Sequence, residues 1–128
     1  MEFKLQVTSL SERDIEEIFS SGNEGCAYWC GSWYINYHKT TEEDYKDMNY
    51  FEEKFAYALL KGDYITFVDI EDSSQKWHFN YDRLLKGVER FIAEGRCCDI
   101  HNIFDGNEDI NDIDIIIQYA LFNEIVFG

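Results

Sequence analysis

The sequence predicts a small α+β domain, an antiparallel sheet of an N-terminal strand, an aromatic strand and a central hairpin, packed with three to four helices. Three observations carry this. Residues 64–70 and 76–80 alternate with a period of two around a polar turn, which is a hairpin pattern. Other segments repeat apolar residues at helical spacing, some behind capping residues such as Ser11 and Asn80. The chain of 128 residues is 45% hydrophobic and 17% aromatic, enough for one core and one domain spanning residues 1–128.

Each element follows in order. Residues 3–7 set Phe3, Leu5 and Val7 against Lys4 and Gln6, as a strand does. Ser11 caps a short helix with Asp14 three residues on and a stripe of Ile15, Ile18 and Phe19. Residues 20–25 read as its end. Residues 27–37 hold Tyr28, Trp29, Trp33, Tyr34 and Tyr37 in an extended segment turned near Gly31 and Ser32. Residues 40–47 form an acidic loop or the first turns of a helix. Residues 50–61 are helical, with Phe51, Phe55, Ala58 and Leu59 inward and Gly62 as the stop.

The hairpin follows, with residues 71–75 as its turn. Asn80 caps a helix over 81–94 that buries Leu84, Leu85, Val88, Phe91 and Ile92, and Gly95 closes it. Residues 96–111 read as a long acidic loop. Asn111 then caps a last helix, with Asp112 and Asp114 in its first turn and Ile113, Ile116, Ile117, Ala120 and Leu121 inward.

Charge carries the functional reading. Twenty-six Asp and Glu against eleven Lys and Arg give a net charge of -15. Disordered acidic tails lack this apolar content, so the charge belongs to the surface of a folded domain. Solubility needs a net charge of only about 2–8. Such a surface disfavours anionic membranes and direct nucleic-acid binding and favours a basic protein partner.

The acids fall in clusters. One is Glu12, Asp14, Glu16 and Glu17; another is Glu42, Glu43, Asp44 and Asp47, followed by Glu52 and Glu53. Asp69, Glu71 and Asp72 surround the hairpin turn, and Glu108, Asp109, Asp112 and Asp114 lie near the last helix. Clusters sharing a face would imitate the phosphates of a nucleic acid; the ordinary alternative is a solvated surface. The candidate contact acids are Glu42, Glu43, Asp44, Asp47, Asp69, Glu71, Asp72, Glu108 and Asp109. Trp33 and Tyr34 point to opposite faces of any strand, so one of them is a candidate exposed anchor.

Other chemistries find little support. Cys26 and Cys30 with Cys97, Cys98 and His101 could supply zinc ligands, but neither pair has the usual two-residue separation. Residues 105–109 suggest calcium, yet His101 and Ile103 stand where an EF-hand needs acids. No nucleophile elbow and no glycine-rich phosphate loop is present. The expectation is no enzyme, no cofactor and no metal. No apolar run of about 18 residues and no basic-then-apolar start is seen, so a cytoplasmic protein with free thiols is expected.

Three stretches carry a resemblance: Tyr28-Trp29-Cys30-Gly31, residues 77–87 (WHFNYDRLLKG) and residues 114–128 (DIIIQYALFNEIVFG). Together they resemble a family of small acidic proteins carried by phages, prophages and mobile elements of bacteria. Asn123 stands where that family carries a glycine. The resemblance brings no activity to any residue. It implies a role in the contest between phage and host, where small acidic proteins inhibit restriction or CRISPR effectors with basic channels. The expectation is a non-enzymatic anti-defence inhibitor, an anti-CRISPR protein in the cytoplasm of the bacterial host, whose acidic surface blocks a basic groove of the effector. The alternative is a homo-oligomeric module, a homodimer for example, held by exposed aromatics.

Overall fold

The computed structural model describes residues 9–95 and 110–128. The strand expected over residues 3–7 and most of the expected loop 96–111 lie outside the described residues. Within them the fold is α+β: helix α1 (Glu12–Gly25), strand β1 (Cys30–Asn36), a 3-10 turn (Glu42–Tyr45), helix α2 (Phe51–Leu60), strands β2 (Tyr64–Asp69) and β3 (Lys76–Phe79), and helices α3 (Tyr81–Ala93) and α4 (Ile110–Phe122).

The three strands are antiparallel in the order β1-β2-β3. Register decides which side chains enter the core. Trp33 pairs with Phe67 and Phe67 with Trp77, while Ile65 lies between Ile35 and Phe79. These residues share one face. The other face carries Ser32, Tyr34 and Asn36 of β1, Tyr64, Thr66 and Val68 of β2, and Lys76 and His78 of β3. The register shifts between Cys30 and Ser32, a bulge at Gly31, where the expected turn proves to be a kink within one strand.

The helices start where their side chains can cap them. Ser11 Oγ accepts from the Asp14 amide at 3.1 Å, and Asp14 Oδ2 accepts from the Ser11 amide at 3.2 Å, a complete capping box. Asn80 Oδ1 accepts from the Arg83 amide at 2.8 Å. Gly62 and Gly95 take positive φ of 98° and 73°, which suits them to closing α2 and α3. Asn123 takes φ 58° just after α4, the left-handed position where glycine is usual and Asn is the common substitute.

Two boundaries differ from expectation. Helix α1 runs through residues 20–25 to Gly25, because its glycines are contact points, not breakers. A Cβ on Gly25 would sit 2.5 Å from the Ile110 carbonyl oxygen. Asn111 is the second residue of α4, not its cap, because the helix begins at Ile110.

Helix α4 lies between α1 and α3, and α2 flanks α1 on the other side. The core fills the space between these helices and the sheet. Phe19 is its hub, packed edge-on against Trp33, Phe55 and Phe79 at 5.0–5.7 Å. The stripe expected for α3 is buried at Leu84, Val88, Phe91 and Ile92, and Leu85 is half-buried. Leu121 is likewise half-buried, not fully inward.

Candidate functional site

Charge is polarised across the helical layer. Helix α1 carries five acids and one base, Arg13, whereas α3 carries Arg83, Lys86 and Arg90 against Asp82 and Glu89. The α1–α2 contact brings together two acid clusters that are forty residues apart in sequence. Burial first, then the charges of Glu12, Glu53 and Glu52, hold the Glu16 carboxyl above its ordinary range. Glu12, Glu16, Glu52 and Glu53 therefore form one negative patch. None of these four is among the candidate contact acids read from the sequence. Periodicity places each on its helix, but only the packing of α1 on α2 joins them.

The cluster Glu42, Glu43, Asp44 and Asp47 adjoins that patch. All four are exposed. Tyr45, buried between them, packs edge-on against Tyr57 of α2 at 5.5 Å. Its hydroxyl meets Thr40 Oγ1 at 2.6 Å, and Thr40 Oγ1 donates to Asp63 Oδ2. Asp63 also accepts from the amides of His38, Lys39 and Thr40 at 2.6–3.0 Å. Burial works against its charge, but these four donors win and hold its carboxyl below the usual range. The acidic turn is thus anchored to the start of β2. Within it Asp44 accepts from the Thr41 amide at 2.8 Å, and Glu43 pairs with Lys46.

Asp69, Glu71 and Asp72 lie at the opposite end of β2. Six strand residues separate the two ends, about 20 Å. Asp69 is half-buried opposite Cys30, and Glu71 and Asp72 are exposed. Asp72 Oδ1 accepts from the Ser74 hydroxyl and amide at 2.6 and 3.0 Å, which lowers its pKa and fixes the turn. The candidate acids thus divide into two groups at opposite ends of the sheet. Glu108 and Asp109 lie outside the described residues.

The aromatic candidates divide too. Trp33 turns inward, because pairing with Phe67 puts it on the core face, where it packs against Phe19, Phe51, Phe55 and Phe67 at 5.2–5.7 Å. Tyr34, on the other face, is exposed.

Asp114 is a further correction. It is not a solvent-facing charge in the first turn of α4 but a buried acceptor in the second. Trp29 Nε1 donates to it at 2.7 Å, the Tyr28 hydroxyl at 2.6 Å, Gln118 Nε2 at 3.0 Å and the Cys26 thiol at 3.5 Å. Gln118 Oε1 in turn accepts from the amides of Val126 and Phe127 at 2.9 and 2.8 Å. This clamp lays the Phe127 ring flat on Trp29, with centroids 5.1 Å apart and planes 3° from parallel. Buried Asp and Gln thus hold the segment after α4 against the sheet.

The thiols beside this network are poor nucleophiles. Burial, then the Asp114 charge, pushes Cys26 far above its ordinary pKa. Burial pushes Cys30 to about 11 against the amides of Val68 and Ser32. Both are protonated at neutral pH. Cys97, Cys98 and His101 of the possible zinc set, and the possible calcium loop 105–109, lie outside the described residues. Among the described residues no three His, Cys, Asp or Glu gather into a metal-binding group, and no helix is long and apolar enough to cross a membrane. Comparisons with family models, curated proteins and solved structures found no match.

Proposed function

We propose that this protein is a non-enzymatic anti-defence inhibitor, an anti-CRISPR protein acting in the bacterial cytoplasm, whose acidic surface occupies a basic nucleic-acid groove of a host effector. One observation carries the reading: a net charge of -15 on a packed domain, with Glu12, Glu16, Glu52 and Glu53 drawn into one patch beside the 42–47 turn. Holding like charges together costs folding energy, so a surface that does so is poised to meet cations. The resemblance of three stretches to small acidic phage proteins gives the basic partner its class. The acids of the patch would pair with Lys and Arg that ordinarily hold phosphates.

The test is capture of partners by the immobilised protein from lysate of a bacterium carrying CRISPR and restriction systems, eluted with a salt gradient. The expected result is an effector subunit released by moderate salt, and lost when Glu12, Glu16, Glu52 and Glu53 are all changed to Gln. Capture that survives about 0.5 M salt, where the Debye length is only a few ångströms, together with that neutralisation, would overturn the reading.

A second reading is a homo-oligomeric module. Exposed Tyr34 on β1, one of the two outer strands of the sheet among the described residues, favours it. Trp33 is committed to the core, so light scattering of a Tyr34→Ala variant is the discriminating measurement: a dimer that dissociates supports this module over the inhibitor.

A further inference from the structure

At the end of β2 away from the 42–47 turn, a pocket of about 290 Å³ is lined by Tyr28, Trp29, Asp69, Ile70, Glu71 and Phe127. Its lining is mixed in a particular way. Trp29, buried between Phe67 and Phe127, and Phe127 are held by the Asp114–Gln118 clamp and form its floor, so the ring open to a ligand is that of Tyr28. Tyr28 and Ile70 are each 52% exposed beside it. Asp69 and Glu71 supply two carboxylates, and no cation lines the pocket. Among the described residues neither of these acids forms an ion pair.

We propose that this pocket receives an arginine side chain of the basic partner. Arginine joins an apolar stem and a planar face that stacks on aromatic rings to a cation that pairs with carboxylates. A purely apolar side chain would leave Asp69 and Glu71 desolvated without a partner, and a free anion would meet two carboxylates. The walls are fixed before binding. The Tyr28 hydroxyl is tied to Asp114 and to the Phe127 carbonyl at 2.6 and 3.1 Å, and the Ile70 amide donates to the Trp29 carbonyl at 2.9 Å. Little ordering remains for the partner to impose.

This inference rests on the basic partner proposed above, but its test does not. The intact, isotope-labelled protein is titrated with N-acetyl-arginine amide and, separately, with the neutral isostere N-acetyl-citrulline amide. Amide and indole resonances are followed by NMR. The arginine probe is expected to shift Trp29, Ile70, Glu71 and Phe127 selectively, and the citrulline probe is expected to leave them in place. Glu71→Gln and Ile70→Ser alter exposed side chains, so the rest of the spectrum serves as the check on folding. Each should weaken the arginine shifts several-fold. Equal shifts with both probes, shifts spread over every acidic cluster, or no shift in the pocket would overturn the proposal. If the probe binds here and no effector is captured from lysate, the functional reading fails and the site stands. If an effector is captured and Glu71→Gln leaves its affinity within twofold, the site fails and the reading stands.

Discussion

A single carboxylate ties the start of β2 to the acidic turn. Asp63 is buried, yet four donors from residues 38–40 converge on it, so its charge is stabilised in the fold and its pKa lies below the ordinary value. The sign follows from linkage. A carboxyl with a depressed folded pKa contributes its full stability above the unfolded value of about 3.9 and loses it as pH falls through the folded value. Asp63→Asn keeps one acceptor oxygen but turns an NH2 group toward donors. It should cost about 2 kcal/mol at pH 7, the scale of a hydrogen bond to a charged group. Urea denaturation at pH 7 and again near pH 3 checks this. The gap between wild type and variant should narrow in acid, and a gap independent of pH would show that Asp63 acts by packing alone. Neither Asp63 nor Asp114 was legible in the sequence as a buried acceptor. Apart from Gln118 beside Asp114, their donors come from segments 23 to 88 residues away, and an Asp near a helix start reads locally as a dipole partner.

At the scale of elements, local chemistry was legible and contact chemistry was not. The capping box at Ser11, the Asn80 cap and the hairpin depend on neighbours within a few residues, and each was readable from spacing. Glycines are ambiguous because one residue serves two purposes. Gly62 and Gly95 stop helices through backbone freedom, whereas Gly25 and Gly87 let helices touch. A Cβ on Gly87 would lie 2.7 Å from the Ile116 carbonyl oxygen and 2.8 Å from the Ala120 nitrogen, so α3 and α4 meet backbone to backbone there. Gly87→Ala must push the two helices apart. The helix gains propensity but the core loses contact, and overpacking of this kind costs about 1–3 kcal/mol. A lower thermal midpoint for Gly87→Ala, with Lys86→Ala at an exposed position of the same helix leaving it nearly unchanged, would show that the loss comes from contact. An unchanged midpoint would mean that the helices part freely.

For the whole molecule, the same charge acts in opposite directions on the free protein and on its proposed complex. A net charge of -15 repels itself, and the Glu16 environment shows where the repulsion concentrates. Its folded pKa is raised, so its contribution to stability is fully present below the unfolded value and is lost as pH rises through the folded one. At neutral pH the ionised Glu16 therefore weakens the fold. Sodium chloride screens this repulsion, so the thermal midpoint of the free protein should rise between about 0.05 and 0.5 M salt while effector capture falls over the same range. Glu16→Gln should raise the midpoint at pH 7, with the advantage shrinking as pH falls through the carboxylate range, and should also weaken capture. A surface kept acidic only for solubility would show the first effect without the second. A midpoint that falls with salt would mean that attractive pairs outweigh repulsion, but the three ion pairs among the described residues are all solvent-exposed and short-range in sequence, each worth about 0–1 kcal/mol. Stability gained on neutralisation, set against affinity lost, is what distinguishes a charged surface that meets a partner from one that only meets water.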